Sequence, residues 1–426
     1  MQGFLQLESD KMRFKRKIHN DYTLSVIAKI TTAAIGIVSS AFSTRYLGVQ
    51  YKGDYSYITH VVNIIVLILN LGIYQSYSYN YKKYGRDIIY KYTNICFLQF
   101  IILFFAMLFL LIIVNDPLIS MIIVLVPFSI IKLQYGNIVL IENFRLSMWL
   151  SVFNSLMNMA CYIALFFWAK PRLLYVVGVT VIIDIITVIV YVMDIRIVPY
   201  FWNIDIPFLK SVLRFGVIPM LSGLLATVNY SIDIIFLKKI GVPEELSYYA
   251  LAANIVNYVW LLPDAFKSVL FSKSARKFDK DSIEFSSQIS SFFIFLCFIS
   301  FAILGKFLLG VFYGKEFINS YKVTLLLIIG AFSMSIYKLL GIVLVSQGRR
   351  VAHFASLAIS AVVNVILNCL LIPKMGMYGA GLASVCSYSL CGGILLIYFC
   401  NLYDMKPHHL LLLSSSNIKR MTSRLL

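Results

Sequence analysis

Ionisable side chains interrupt long apolar runs at a few places in this chain. Lys29 lies in VIAKITTAAIG, Lys132 in FSIIKLQYG, Asp184 in VIIDIITV, Asp233 in NYSIDIIFL and Lys338 in SIYKLLG. Asp264 and Lys267 share LLPDAFKSVL, while Arg45 and Glu142 stand at the ends of apolar runs. A charge in hydrocarbon is costly, and it is kept where it lines a wet cavity, pairs with another charge or carries an ion. Lys29, Arg45, Lys132, Lys267 and Lys338 outnumber the embedded acids, so a cleft lined by them attracts an anion. Phosphate fits: Arg grips it bidentately and Lys serves as a point charge. Asp184 and Asp233 are embedded acids and functional candidates on the same ground. More ordinary roles stand beside these. Asp264 and Lys267, three apart, read as a local ion pair with snorkelling tips, and Glu142 with Arg145 as interfacial. Lys132 and Asp233 each suit a salt bridge between helices.

The elements that must hold these groups are membrane helices. The chain has 426 residues, 60% hydrophobic and 13% charged, with mean hydropathy +0.84. A soluble domain carries about 25% charge to face water. Runs of about 20 apolar residues are long enough to cross the hydrocarbon core. Twelve are expected, at 22–43, 56–79, 92–114, 118–141, 147–169, 173–193, 213–237, 248–271, 286–309, 321–345, 351–372 and 378–402. The turns NDP at 115–117 and IPKMG at 372–376 make tight hairpins of the third and fourth spans and of the last two.

With the N-terminus inside, Lys and Arg on inner segments outnumber those on outer loops by more than two to one. Both termini are therefore expected in the cytoplasm. The net charge of +18 is then mostly topological, and no nucleic-acid partner is implied. No CxxC pair or Cys/His cluster occurs among the seven cysteines, so no disulfide, metal or cofactor is expected. No loop is long enough to form a domain of its own, and no Walker A, nucleophile elbow or HExxH occurs. These features weigh against an ATP-driven pump, and against a membrane enzyme or polymerase that would hold its catalytic groups in a large outer loop. The expectation is not an enzyme.

One polar joint is written twice. STRYLGVQYKGDYSYI, at 43–58, carries Arg45, Lys52 and Asp54, and KKIGVPEELSYYALAANIV follows at 238–256. At an offset of 193, Gly48 falls on Gly241, Val49 on Val242 and Tyr55 on Tyr248; one residue of slip brings Asn63 onto Asn257. Six spans separate the copies, so both joints fall on the same outer face and the repeat is parallel. An all-α architecture follows, with two six-helix lobes at 22–195 and 213–402. A linker at 196–212 joins them, between a tail at 1–21 and another at 403–426. Two such lobes imply a central cleft and alternating access. Tyr51, Tyr55, Tyr57, Tyr74, Tyr77, Tyr79 and Tyr81 read as an interfacial belt, with stacking on sugar rings as the alternative.

RYLGVQYKGDYSY resembles the first outer joint of the polysaccharide flippases in the multidrug/oligosaccharidyl-lipid/polysaccharide (MOP) exporter superfamily. The likeness continues through LNLGIYQSYSY at 69–79, the stretch 213–252 containing SIDIIFL, FYGKEFINSY at 312–321 and SQGRR at 346–350. NVILNCLLIPKMGMYGAGLAS at 364–384 is its most specific part. The resemblance implies the two-lobed fold of the MATE transporters and a Wzx-type flippase of the bacterial inner membrane. Its cargo would be an undecaprenyl-diphosphate-linked oligosaccharide, an O-antigen or capsule repeat unit, moved to the periplasmic leaflet by proton or sodium antiport. Membrane lipid, a polysaccharide polymerase and a chain-length regulator are the implied partners. On that model Arg45, Lys29 and Lys132 attract the diphosphate, and Asp233 or Asp184 couples the ion. Lys29 departs from the Arg expected there, and twelve spans in place of fourteen argue against a peptidoglycan precursor. A MATE-type exporter of small cations is the competing transporter, disfavoured by the excess of embedded bases.

Overall fold

Backbone groups in hydrocarbon must be satisfied within the chain, which makes each apolar run a helix. The computed structural model describes residues 2–197, 205–274, 278–414 and 417, with side chains from Leu24 onward except at 268 and 272. Residues 198–204 of the expected linker, and most of the tail after 414, lie outside the described residues.

The helices are α1 (Gln2–Leu69), α2 (Ile73–Tyr84), α3 (Ile88–Ile113), α4 (Pro117–Glu142), α5 (Phe144–Trp168), α6 (Leu173–Ile195) and α7 (Ile206–Ile240). Then come α8 (Pro243–Val259), α9 (Leu261–Ser274), α10 (Lys280–Leu308), α11 (Ser320–Ser346), α12 (Arg350–Tyr403) and the short α13 (Pro407–Leu411). No strand occurs among the described residues. Nine helical stretches among them are long and apolar enough to cross a membrane. α1 and α12 each hold two of the expected spans, bent at Gly48 (φ 60°) and Gly376 (φ 54°), while α8 and α9 together make the eighth. Exposed Ile112, Trp168, Ile218 and Ile303 give the surface the apolar cover that lipid requires. The chain is a multi-pass membrane protein.

The chain forms two compact units, one running through Leu47 and then Val62–Leu221, the other Gly48–Val61 with Ser222 onward. The first elbow, from Gly48 to Val61, thus packs with the second unit.

In the first unit, the expected second span breaks at Asn70–Gly72, where Leu71 (φ 53°) and Gly72 (φ 77°) are left-handed. Side chains from neighbouring helices take up the polar groups freed there. Gln99 Nε2 donates to the Leu69 carbonyl at 2.5 Å, Asn137 Nδ2 to that of Tyr74 at 2.7 Å, and Gln134 Nε2 to Asn70 Oδ1 at 2.9 Å. Gly72 lies against the backbone of Gly216, with no room for a Cβ on either. Tyr77 is not part of an interfacial belt: it is buried edge-on to Tyr92 at 4.9 Å, in a core shared with Ile138, Tyr191 and Val212.

In the second unit, α11 is the central helix and packs most extensively on α12. Gly392 of α12 meets the Ser333 backbone of α11 so closely that a side chain there would displace it. This is the small-residue contact by which helices associate in lipid. The two halves of α12 fold back on each other after Gly376, joined by Asn364 Nδ2 donating to Ser387 Oγ at 2.9 Å.

Candidate functional site

Polar groups gather in the second unit along α7, α8 and α12. α7 carries Asp233 into the bundle, where it is fully buried. Tyr249 Oη donates to its Oδ2 at 2.6 Å, Ser384 Oγ donates to the same oxygen, and Asn368 Nδ2 donates to Oδ1 at 2.5 Å. These donors are neutral, and no cation is among the groups acting on this carboxylate. Asn368 Nδ2 also faces the Asn364 carbonyl and Oδ1, at 3.0 and 2.5 Å, while its own Oδ1 is buried with no partner. A polar seam continues through the buried interior: Asn364 to Ser387, Ser360 Oγ to the Ser387 carbonyl at 2.8 Å, and Asn229 Nδ2 to Ser360 Oγ at 3.2 Å. Chemically this is one carboxylate that accepts from two hydroxyls and an amide NH2. Such a carboxylate can take up a proton, or a small hard cation once the neighbouring hydroxyls and amides turn their oxygens toward it.

A second cluster joins α9 and α11. The ion pair at Asp264 reaches across to Lys338 of α11 at 3.0 Å, where sequence spacing pointed to Lys267 on the same helix. The Lys338 ammonium also lies 4.2 Å from the centre of the Trp260 ring. Exposed Lys267 opens with Asp264, Phe271 and Ile342 onto a cavity of about 500 Å3.

The first unit brings together two residues that the sequence had assigned separate tasks. Lys132 of α4 pairs with buried Asp184 of α6 at 2.5 Å, and Ser129 Oγ donates to the same carboxylate at 3.2 Å. Lys29 and Arg45 are exposed on α1. Glu142 at the end of α4 pairs with Arg86 at 2.9 Å.

Sequence reasoning did not single out the joint between the two elbows. In the second unit Gly53 N–H donates to Ser247 Oγ at 2.8 Å, and Ser247 Oγ donates to the Val49 carbonyl at 2.5 Å. Lys238 pairs with Asp54 at 2.5 Å. Glu245 of the second elbow accepts the Met377 N–H at 2.9 Å, just past the Gly376 bend, where any Cβ would strike its carboxylate. The one available signal was the recurrence of the joint in sequence, 193 residues on. Asn364 and Asn368 stand four apart in NVILNCLLIPKMGMYGAGLAS, a spacing that puts them on one helix face.

Comparison with solved structures covers nearly the whole chain. A lipid II flippase MurJ in an inward closed conformation superposes with TM-score 0.76 at 16% identity, covering 91% of this chain and 89% of that one. An inward-facing multidrug resistance MATE transporter of the MOP superfamily gives TM-score 0.64 at 12% identity, over 90% and 98%. The chain has the MOP fold. A MOP superfamily transporter from Pyrococcus furiosus gives 0.60 at 11% identity, over 90% and 95%. Residues 123–322 match the model of a family described as polysaccharide biosynthesis protein. The Wzx-like resemblance of the motifs, the MOP fold and this match agree. No curated protein matches the chain.

Proposed function

We propose that this chain is a flippase of a bacterial inner membrane, with both termini in the cytoplasm. Its cargo is an undecaprenyl-diphosphate-linked oligosaccharide, an O-antigen or capsule repeat unit, carried from the cytoplasmic to the periplasmic leaflet. The observation that carries this reading is the conjunction of a polysaccharide-biosynthesis match with a MOP fold. A glycan pathway needs such a carrier, because its lipid-linked units are polar and do not cross hydrocarbon unaided.

The residues divide by their surroundings. Lys29, Arg45 and Lys267 are exposed and attract the diphosphate. Lys132 and Lys338 are tied to Asp184 and Asp264, and they shape the field around the cargo through those pairs. Asp233 carries the coupling ion; Asp184, already neutralised by Lys132, is the weaker candidate. Parting of the two elbows releases cargo on the periplasmic side. A polymerase and a chain-length regulator receive the product.

The test is a strain lacking this protein. Lipid-linked repeat units should accumulate on the cytoplasmic leaflet, and surface glycan should disappear until the gene is restored. Undiminished surface glycan together with new drug sensitivity would instead favour a MATE-type exporter, the reading for which a buried carboxylate without a cation is the supporting observation.

A further inference from the structure

Lys52 is the embedded charge with no part in the account above. It lies in the first turn after the Gly48 bend, inside the elbow segment that packs with the second unit. Only 3% of it is exposed. Among the described residues its ammonium has no ion pair or hydrogen bond, and no charged neighbour acts on it. The acid nearest in sequence, Asp54, is engaged by Lys238.

Two effects disfavour this arrangement. A buried charge without a partner is among the most destabilising features a fold can hold. Lys52 also stands at the positive end of the half-helix that begins after Gly48, where the dipole favours an anion. The joint keeps the segment in place regardless. Gly53 is hydrogen-bonded to Ser247, Asp54 is paired with Lys238, and a Cβ on Gly53 would lie 2.8 Å from Leu246 Cγ. Residues immediately after Lys52 are thus clamped to the second elbow while its own charge is uncompensated. A charge held at such a disadvantage in one state gains most when a second state supplies its partner.

We propose that Lys52 is a cation withheld while the elbows are joined, and that their parting presents it to the diphosphate of the cargo at the outer end of the carrier. This rests on the flippase reading, and it adds a release-side contact distinct from Lys29, Arg45 and Lys267.

The test compares wild type, Lys52→Met and Lys52→Arg as full chains in a strain lacking the native copy. Two quantities are read: the rate at which surface glycan appears, and the thermal midpoint of the purified protein in detergent. Methionine removes the unpaired charge and keeps the apolar stem, so the midpoint should rise by about 4 °C. Glycan appearance should fall at least about tenfold, the loss of one charge-assisted contact, while Lys52→Arg stays near wild type. Loss of activity in a stabilised protein separates this role from misfolding. Wild-type transport by Lys52→Met would overturn the inference, as would a lowered midpoint, which would mean the ammonium has a stabilising partner. Failure of wild type itself to restore glycan would remove the flippase reading and this inference with it.

Discussion

Replacing Asp233 by asparagine exchanges one oxygen for an NH2 group and leaves the side-chain volume unchanged. The carboxylate accepts from Tyr249, Ser384 and Asn368. Each such bond to a charged group contributes about 1.5–3 kcal/mol, against several kcal/mol for taking the carboxylate out of water. The two sums nearly cancel, so the charge adds little to stability. In Asp233→Asn the amide oxygen keeps Tyr249 and Ser384. Its NH2 group can face Asn368 once that amide turns over, which brings the unpartnered Oδ1 into use and gives up the Asn368 Nδ2 contact with Asn364. The thermal midpoint should therefore move by no more than about 5 °C. Transport should respond very differently. A neutral side chain leaves a bound cation without its counter-charge, a loss of about 3 kcal/mol or more, or roughly a hundredfold in rate or affinity. The assay measures surface glycan appearance in cells as the sodium and proton gradients are collapsed one at a time. Asp233→Asn should be slow and indifferent to the gradient that drives wild type. A variant that transports at the wild-type rate with the wild-type gradient dependence would refute the assignment and leave Asp233 as architecture.

Three further outcomes follow from the geometry. Ser247→Ala strips partners from the Gly53 N–H and the Val49 carbonyl, about 1–3 kcal/mol, and should lower the midpoint by several degrees in a melting experiment. Lys132→Met leaves Asp184 buried and unpaired, about 3–5 kcal/mol destabilising, whereas Lys132→Met with Asp184→Leu should return most of that stability; equal midpoints for the single and double variants would show that the pair is not coupled. Asp279 caps α10 by accepting from the Ser282 hydroxyl and N–H, and the hydroxyl bond chiefly holds its carboxyl below the usual range. The cap therefore stabilises the fold above the ordinary carboxylate pKa and is lost as pH falls through the lowered one. Asp279→Ala should cost about 1 kcal/mol at pH 7, and its midpoint should converge with wild type below about pH 4.

The spans were legible because hydrocarbon thickness sets their length and the backbone has no other solution inside it. The break at Asn70–Gly72 was not. LNLGIY reads as continuous apolar sequence, and the groups that make the break tolerable, Gln99, Gln134 and Asn137, come from helices further along the chain. The embedded charges were visible individually, but their partners were not. Lys132 meets Asp184 and Lys338 meets Asp264 across helices, at separations that no local spacing rule covers. Spacing instead pointed Asp264 to Lys267, one turn along its own helix. Lys52 stands in STRYLGVQYKGDYSYI, yet nothing in sequence distinguishes a buried lysine from one that reaches solvent.

The duplicated joint carries further information once the contacts are known. At the offset of 193, Arg45 matches Lys238 and Asp54 matches Ser247. In the structure Asp54 pairs with Lys238, the residue that Arg45 matches, while the Ser247 hydroxyl at the position matching Asp54 bonds the Gly53 N–H and the Val49 carbonyl. The two positions of one sequence match therefore do different work. One holds the first elbow by charge and the other by backbone hydrogen bonds, so removing either contact alone leaves the other in place.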